Sequence, residues 1–414
     1  MGGEGRLLEA KPVDLDLSGT PVWVAGAPLE EDTAWVVTYN DGRVEAFRLG
    51  GGSGEIVPWL TTPHRRLRWG RIARGTDGQY LGVRLYGKIK ESPMAVEFGI
   101  FVPQGWRMDL VGIEDPYQQY EAMTRVGKVA DETGAYDSIW VYDHFHTVPD
   151  PTMNTVFEAW TISAGLARDT RNVKIGQMVT CNGYRNPALL AKMASTVDVM
   201  SNGRLLCGLG AGWYEHEWLA YGYAFPEIPV RMRMFKEACE LIHRMFTEDR
   251  PVFDGEFYKI DRPINEPKGI SKPHPPIWIG GGGEKVTLKL VARWGDACNV
   301  GGGLNTLRHK FDVLKGHCEN LDRDYEEITR STSINVYLLE AGEDPETATK
   351  EARGPKSYDE YSREFMVGTS EQIVERLQPM VDAGVDYFIT YLPRVAHDPT
   401  PVEKLAQEVV PNVG

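Results

Sequence analysis

The chain has few of the features that mark exported, metal-dependent or membrane proteins. Its five cysteines, an odd number, form no CxxC pair of the kind that holds zinc or a redox centre. No stretch approaches the roughly 18 uninterrupted apolar residues that predict a membrane-spanning helix. The first residues lead into aspartate and proline rather than an apolar run, so we expect no export signal. These absences predict reduced thiols, no metal site and a soluble, cytoplasmic protein.

The chain also lacks a surplus of basic residues. Its 45 Lys and Arg residues against 59 Asp and Glu residues give a net charge of -14. Nucleic acids and anionic membranes both reward a basic surface, so this balance argues against a general nucleic-acid or membrane binder. It is still compatible with a local basic pocket for a phosphorylated small molecule. At 414 residues, of which 42% are hydrophobic, the chain can bury a core that needs no disulfide or metal.

Residues 1–94 differ in pattern from the rest of the chain. Strand-like runs flank Asn40-Asp-Gly42 and Thr76-Asp-Gly78, which are signals of hairpin turns. The glycine-rich segment 50–54 is typical of a flexible link between two hairpins. The basic segment 64–71 fits a solvated strand face, and contact with an acidic ligand or another subunit is the alternative. We therefore predict a small antiparallel β module here, and we recognise no family pattern in it.

Residues 95–414 alternate short apolar strands with helical segments, the pattern of parallel βαβ units. Eight such strands favour an α/β fold of the (β/α)8 type, a TIM barrel, over an open doubly wound sheet. The predicted strands are 96–102, 138–142, 173–179, 204–209, 276–279, 297–300, 333–339 and 387–391. The predicted helices are 117–132, 157–168, 187–201, 232–246, 285–294, 307–321 and 371–383. In a barrel, the groups that carry chemistry lie just after strand ends.

Three motifs follow predicted strands and offer such chemistry. Asp143-His144 follows the second strand and pairs a carboxylate with an imidazole that can exchange a proton near neutral pH, a structural pair being the alternative. Gly210–Trp213 follows the fourth strand and favours close backbone approach to a flat or anionic ligand. Gly280–Gly283 follows the fifth, where glycines before a helix expose N–H groups suited to phosphate, a flexible loop being the alternative. Together the motifs predict a ligand with a ring and a phosphate.

Taken in order, these motifs resemble the luciferase-like barrel family, specifically its branch of coenzyme F420-dependent oxidoreductases. The resemblance covers residues 96 to 392. It rests on Tyr142–Phe145, Met178–Pro187, Asp198–Arg204, Gly210–Glu215 and Pro275–Gly283. Each segment is modest alone, and their order and spacing are specific.

The resemblance implies a role for each matching residue. His144 would lie against the reactive face of a bound deazaflavin and exchange a proton during hydride transfer, and Asp143 would hydrogen-bond its ring. A cis peptide near Met178-Val179 would buttress the ring, and Gly280–Gly283 would hold the phosphate. The full set of implied cofactor contacts is Asp143, Met178, Val179, Thr180, Gly210, Gly212, Trp213, His216, Gly280, Gly281, Gly282 and Gly283.

Two departures from the family pattern bear on the substrate and the architecture. Members that oxidise glucose 6-phosphate place a lysine after the sixth strand, whereas this chain reads Asn299-Val-Gly-Gly-Gly-Leu304, which disfavours that substrate. The β module before residue 95 is outside the usual family plan. Trp106, Phe145 and Trp213 suggest an apolar organic substrate, and a place in the core or against the cofactor is the alternative.

We therefore expect an F420-dependent oxidoreductase that acts on a small organic molecule. An FMN-dependent monooxygenase using reduced flavin and oxygen is the first alternative, because both keep a histidine after the second strand. Asp143 and the phosphate loop favour F420. A non-catalytic cofactor-binding protein is the second alternative, although a binder would not need both His144 and the phosphate loop. Family members are commonly dimers, so the resemblance implies a homodimer.

Overall fold

The chain divides into two compact units, Met1–Ser92 and Pro93–Gly414. The computed structural model describes residues 96–414 throughout and, ahead of them, six strand segments between residues 21 and 83. Four of these segments pair antiparallel in chain order, namely Pro21–Pro28, Thr33–Tyr39, Val44–Leu49 and Ile56–Thr62. The other two, Ile72–Arg74 and Tyr80–Val83, form a separate antiparallel pair.

The antiparallel character predicted for this region is confirmed by both hairpins, the first of which pairs Thr38 with Val44. The predicted turn residues, the glycine-rich segment 50–54 and the basic segment 64–71 lie outside the described residues. The strands at 21–28 and 56–62 were not predicted. Both contain proline, which cannot donate to a sheet ladder and so weakens the strand signal.

The second unit is built on a ring of eight parallel strands. These are β1 (Glu97–Phe101), β2 (Ser138–Val141), β3 (Lys174–Gln177), β4 (Leu205–Gly210), β5 (Ile277–Gly280), β6 (Ala297–Asn299), β7 (Thr329–Leu338) and β8 (Tyr387–Tyr391). Each strand pairs with the next in chain order, and β8 pairs with β1, so the sheet closes on itself. Closure confirms the (β/α)8 barrel and excludes the open doubly wound sheet.

Twelve helices are described between residues 96 and 414. They are α1 (Pro116–Thr133), α2 (Ala159–Asp169), α3 (Pro187–Ser201), α4 (Glu215–Ala220), α5 (Ile228–Thr247), α6 (Thr287–Trp294), α7 (Leu304–Asn320), α8 (Pro345–Ala348), α9 (Lys350–Arg353), α10 (Tyr358–Glu364), α11 (Ser370–Asp382) and α12 (Thr400–Lys404). A hairpin of Val252–Asp254 and Lys259–Asp261 precedes β5, and Met366–Gly368 pairs with β7. None of the described helices is long and apolar enough to cross a membrane.

Helix ends fall where the sequence supplies caps. The Asn186 side chain accepts a hydrogen bond from the backbone N–H of Ala188, and Pro187 opens the first turn of α3. Asn202 ends α3 in the left-handed conformation at φ 60°. These local signals explain why the predicted and observed bounds of α3 coincide.

The barrel interior is filled by aromatic side chains. The Trp278 ring on β5 contacts Trp140 on β2 and Tyr387 on β8, with ring centroids 4.8 and 4.9 Å apart. These three strands are not neighbours in the ring, so their contacts cross the interior, and all three side chains are buried. A filled interior leaves the ends of the barrel as the place for a ligand.

A break in β3 shapes the carboxyl end of the barrel. The strand stops at Gln177, and pairing with β4 resumes at Thr180–Cys181. Between them, the peptide bond joining Met178 and Val179 is cis, at the position that the resemblance implies. The predicted strand 173–179 therefore spans a strand and the start of a bulge.

Candidate active site

His144 lies just after β2, at the carboxyl end of the barrel, with aromatic rings on two sides. The indole of Trp106, which follows β1, stacks on the imidazole at a centroid distance of 4.5 Å and an angle of 6°. Trp213, which follows β4, meets it edge-on at 5.7 Å. Only 12% of the His144 side chain is exposed. The imidazole is therefore held in one orientation with limited access to water.

Glu217 on α4 fixes the imidazole chemically. Its Oε2 lies 2.8 Å from His144 Nδ1 and accepts the Tyr184 hydroxyl at 2.7 Å. Its Oε1 accepts the backbone N–H groups of Phe145 and His146 at 2.7 and 2.8 Å. The carboxylate is fully buried and accepts four hydrogen bonds, which is how a buried charge becomes tolerable.

The electrostatics determine which nitrogen of His144 carries a proton. Burial alone would raise the pKa of Glu217, but its hydrogen bonds with His144, His146 and Tyr184 lower that pKa below the ordinary value. Burial, with the nearby Glu217 charge, raises the pKa of Tyr184, which stays a donor. An ionised carboxylate can only accept, so His144 Nδ1 is the donor. Nε2 is then the nitrogen that can exchange a proton.

Asp143, predicted to contact a cofactor ring, is turned toward protein groups. Its two oxygens accept hydrogen bonds from Nη1 and Nη2 of Arg185 at 2.7 and 2.9 Å. Oδ2 also accepts a hydrogen bond from the backbone N–H of Cys181 at 2.8 Å. Its side chain is fully buried, and Arg185 also pairs with Glu158. These contacts tie the end of β2 to the segment after the bulge. Direct contact of Asp143 with a ring stays a prediction.

The bulge fits against glycines at the ends of the neighbouring strands. A Cβ atom on Gly210 would lie 2.4 Å from Val179 Cγ2, and one on Gly280 would lie 2.8 Å from Val179 Cγ1. Both positions therefore require glycine if the Val179 side chain is to lie across the ends of β4 and β5. Thr180 is buried and its hydroxyl accepts the indole N–H of Trp160 at 3.1 Å.

The segment after β4 forms one rim of the site. Gly212 has a positive φ of 77°, and its carbonyl accepts a hydrogen bond from Arg231. Trp213 is 60% exposed. His216 Nδ1 lies 3.0 Å from His146 Nδ1 on the surface, so His216 is at the outer edge of the site. The structure brings Trp213 directly against His144, while His216 reaches it only through neighbours.

Phe145 differs from the other two aromatic residues that we expected to line a pocket. Its ring lies 4.5 Å from Tyr184 and 4.4 Å from Tyr221, centroid to centroid, and packs against a cluster that includes Tyr184 and Trp218 of α4. Trp106 and Trp213 contact His144, whereas the Phe145 ring packs against Tyr184 and Tyr221.

The glycine loop after β5 is connected to the next barrel unit. Gly281 donates its N–H to the carbonyl of Asn299 at 2.9 Å, so one amide of the loop is already used. The helix begins at Thr287, two residues later than predicted. Lys310 on α7 approaches the loop, because a Cβ on Gly282 would lie 3.6 Å from Lys310 Cε. The Lys310 ammonium also pairs with Glu284 at 2.5 Å.

Sequence reasoning missed the residues that act on the predicted ones. Glu217, Arg185 and Lys310 are each 28 or more positions along the chain from the motif residue that they approach, so no short motif joins them. A signal for Glu217 existed, since it is an acid one turn after the glycine-tryptophan motif. All five cysteines are free and buried. Residues 96–414 hold no group of three metal-ligating side chains.

Comparisons with known proteins place this geometry in a family. Residues 96–362 match the family described as luciferase-like monooxygenase. An F420-dependent glucose-6-phosphate dehydrogenase of Amycolatopsis mediterranei (strain U-32) is 27% identical over 301 residues, 65% of this chain and 87% of the relative. An FMNH(2)-dependent dimethylsulfone monooxygenase of Pseudomonas putida is 26% identical over 292 residues, 62% of this chain and 78% of the relative.

A solved structure agrees with the barrel. An F420-dependent secondary alcohol dehydrogenase in complex with an F420-acetone adduct superposes with a TM-score of 0.63 at 21% identity, covering 78% of this chain and 100% of that one. At this identity the likeness bears on the fold alone. The relatives of this chain named above are an F420-dependent dehydrogenase and an FMNH(2)-dependent monooxygenase, and the chain is an F420- or flavin-dependent enzyme of that kind. The chain belongs to the luciferase-like monooxygenase family.

Proposed function

We propose that the protein uses coenzyme F420 to transfer a hydride to or from a small organic substrate. The observation that carries the proposal is the pair of His144 and Glu217. An imidazole whose Nδ1 is committed to a buried carboxylate offers Nε2 for proton exchange at the mouth of the barrel. Oxidation of an alcohol to a carbonyl releases one proton with each hydride, so such a group is required.

The described residues suit a cofactor with a flat ring and a phosphate. We propose that the bulge Met178–Thr180 and the rim Gly210–Trp213 hold the ring. The loop Gly280–Gly283, with Lys310 beside it, would hold the phosphate through backbone amides and one ammonium. Trp106 supports the fit, because its indole N–H is buried with no acceptor in residues 96–414. A bound deazaflavin would supply the hydride acceptor or donor.

The residues of the chain then have distinct tasks. In the oxidising direction, the substrate carbon gives up a hydride and its hydroxyl proton passes to His144 Nε2. In the reducing direction the same nitrogen returns the proton to the oxygen. Glu217 holds the imidazole in the tautomer with a proton on Nδ1 and stabilises the imidazolium that forms. Trp106 keeps the ring oriented by stacking on it.

Asp143 and His216 keep the roles that the resemblance implies as proposals. For Asp143 the contacts support a positioning role, because its carboxylate fixes Arg185 and the Cys181 amide behind the bulge. Direct hydrogen bonding to the ring is the finer proposal. His216 would contribute from the rim of the site, where it lies beside His146.

An FMN-dependent monooxygenase is the second candidate, supported by the relative in Pseudomonas putida that uses reduced FMN. A protein that only binds a cofactor is the third, and the His144–Glu217 pair argues against it because binding needs no proton exchange. Glucose 6-phosphate is not the substrate that we propose, although a relative acts on it, because residues 300–304 contain no lysine. A homodimer and a cytoplasmic location stay predictions.

Anaerobic turnover with F420 and a panel of secondary alcohols and conjugated carbonyl compounds tests the proposal, followed by deazaflavin absorbance. We expect turnover of at least one compound and its loss in His144→Ala. The exposed His397, which follows β8, provides the control variant His397→Ala, and we expect it to keep turnover. Oxygen uptake with reduced FMN, in the absence of any F420-dependent turnover, would contradict the proposal in favour of the second candidate.

A further inference from the structure

Arg107 occupies the side of the barrel mouth next to Trp106. It follows β1, and its Nη1 donates to Asn335 Oδ1 on β7 at 2.8 Å. Its guanidinium carbon lies 4.0 Å from the ring centroid of Tyr391, the last residue of β8. The side chain is half-buried. The ends of β1, β7 and β8 thus hold one cation in a fixed place, and its neighbour in sequence stacks on His144.

This cation forms no close ion pair in the described part of the chain, and burial lowers its pKa, but Tyr142, Tyr391 and the more distant carboxylates of Asp109 and Glu364 raise that pKa above the ordinary value. No carboxylate between residues 96 and 414 lies within 4 Å of the Arg107 guanidinium nitrogens. The carboxylate of Asp109 is engaged elsewhere, since Oδ1 accepts the Tyr391 hydroxyl at 2.6 Å and Oδ2 accepts the backbone N–H of Arg107 at 3.3 Å. Burial raises the pKa of Asp109, although its hydrogen bond with Tyr391 and the charge of Arg107 oppose the change.

Neighbouring groups add to the excess of donors. The buried indole N–H of Trp106 has no acceptor among residues 96–414. A guanidinium presents five N–H donors in a planar fork that matches a carboxylate, and a carboxylate in direct contact would offset the cost of burying this cation more strongly than Asp109 and Glu364 do from beyond 4 Å.

We propose that Arg107 binds a carboxylate of the substrate, so that the substrate class is a small organic acid with its reacting carbon at His144. This inference rests on the proposed function, which it makes more specific. Trp106 orients the imidazole by stacking on it, and the adjacent Arg107 binds the carboxylate of the substrate. Arg107 is a specificity-determining residue, and the Tyr391 ring and Asn335 preorganise it.

A second basic residue at the mouth provides the matched control. Arg394 follows β8 and lines a neighbouring cavity of about 330 Å³ at the ends of β7 and β8. Unlike Arg107, it is already paired with a carboxylate, Glu351, at 2.6 Å. If a carboxylate bound in that cavity instead, Arg394 would be the residue that it needs.

Fluorine NMR of the full chain without cofactor tests the inference with two probes of equal size, para-fluorobenzoate and para-fluorobenzamide. We expect the wild type to prefer the benzoate. In Arg107→Met the dissociation constant for benzoate should rise about tenfold or more, while that for benzamide stays unchanged. Arg107→Lys should be intermediate, since a lysine keeps the charge without the planar fork. Arg394→Gln should bind as the wild type does.

Three results overturn the inference. The first is that the wild type binds both probes equally well or binds neither. The second is unchanged benzoate affinity in Arg107→Met, and the third is loss of benzoate binding in Arg394→Gln. Thermal unfolding and F420 titration of each variant show whether it is folded. If Arg107→Met does not fold, Arg107→Lys carries the test, and wild-type affinity in it overturns the inference. F420 binding that persists while benzoate binding fails leaves the proposed function standing.

Discussion

Replacing Glu217 with glutamine tests the role of the buried carboxylate without changing its size. The glutamine oxygen can keep the N–H groups of Phe145 and His146, and its NH2 group then faces His144 Nδ1 and the Tyr184 hydroxyl. An NH2 group donates, so Nδ1 must become the acceptor and the ring proton moves to Nε2. The nitrogen that should take the substrate proton is then already protonated.

The expected effect on turnover follows from the size of general base catalysis. A correctly placed base contributes on the order of 10²- to 10⁴-fold, so Glu217→Gln should lower the oxidative turnover number by about that factor. F420 affinity should stay within about threefold of the wild type, because no contact to the proposed ring or phosphate site is removed. Nitrogen-15 NMR of His144 gives a direct measurement, with the proton on Nδ1 in the wild type and on Nε2 in the variant.

The same substitution has a predictable effect on stability. Four charge-assisted hydrogen bonds become neutral ones while the cost of burying a charge disappears, so we expect a net loss of about 1–3 kcal/mol near neutral pH. The pKa of Glu217 is lower in the folded protein than in the unfolded chain, so its contribution is complete above the unfolded value. It is lost as pH falls through the lower folded value. The stability gap between wild type and variant should therefore be constant above about pH 5 and should narrow below it.

Wild-type turnover in Glu217→Gln, with the His144 proton still on Nδ1, would refute this reasoning. A stability gap that widens as pH falls would contradict the direction of the pKa change. Glu217→Asp serves as a control for charge, because it keeps the carboxylate but shortens its reach. Where the aspartate carboxylate still reaches His144, we expect the imidazole to keep its proton on Nδ1.

Two further predictions concern the supports of the site. Arg185→Met leaves the fully buried Asp143 without its guanidinium and should lower the free energy of unfolding by about 3–5 kcal/mol, whereas Arg233→Met, at an exposed ion pair, should change it by less than about 1 kcal/mol. Denaturant unfolding measures both, and equal effects would contradict the buried pair. Gly280→Ala should cost about 1–3 kcal/mol and weaken F420 binding, because its Cβ meets the bulge valine at 2.8 Å. Gly301→Ala, whose Cβ would meet nothing within 4 Å, should not clash, and an equal loss in both variants would argue against the steric account.

The sequence was sufficient for elements with strong local signals. The bounds of α3 and β8 were predicted to the residue, α3 because Asn186, Pro187 and Asn202 mark its ends. The eight-strand count and the barrel followed from alternation. Several short helices were not predicted. Helices α4 and α8 to α10 contain seven residues or fewer, which is too few for helical periodicity to appear in the sequence.

The start of β7 shows why a polar run can be a strand. The prediction began at Ser333, but the strand begins at Thr329 and includes the polar segment Arg330–Thr332, which is buried. Arg330 is accommodated by an ion pair with Asp386 at 2.9 Å and by the ring of Tyr325. These partners are distant or on another element, so tertiary contacts override the local signal of a loop.

The candidate site divides in the same way. His144, Trp213 and the glycine motifs could be predicted because they follow strand ends, where a barrel concentrates its chemistry. Glu217 and Arg107 could not be assigned, because their roles depend on partners that only the closed barrel brings together, such as Asn335, which is 228 positions from Arg107.

The most direct test of the central claim is a titration of the purified protein with F420 and with FMN, followed by fluorescence quenching. We predict tight F420 binding and weak FMN binding in the wild type. His144→Ala should keep F420 affinity, because His144 exchanges a proton rather than anchors the cofactor. A preference for FMN would contradict the F420 assignment and favour the monooxygenase alternative, and binding of neither cofactor would contradict both enzyme proposals.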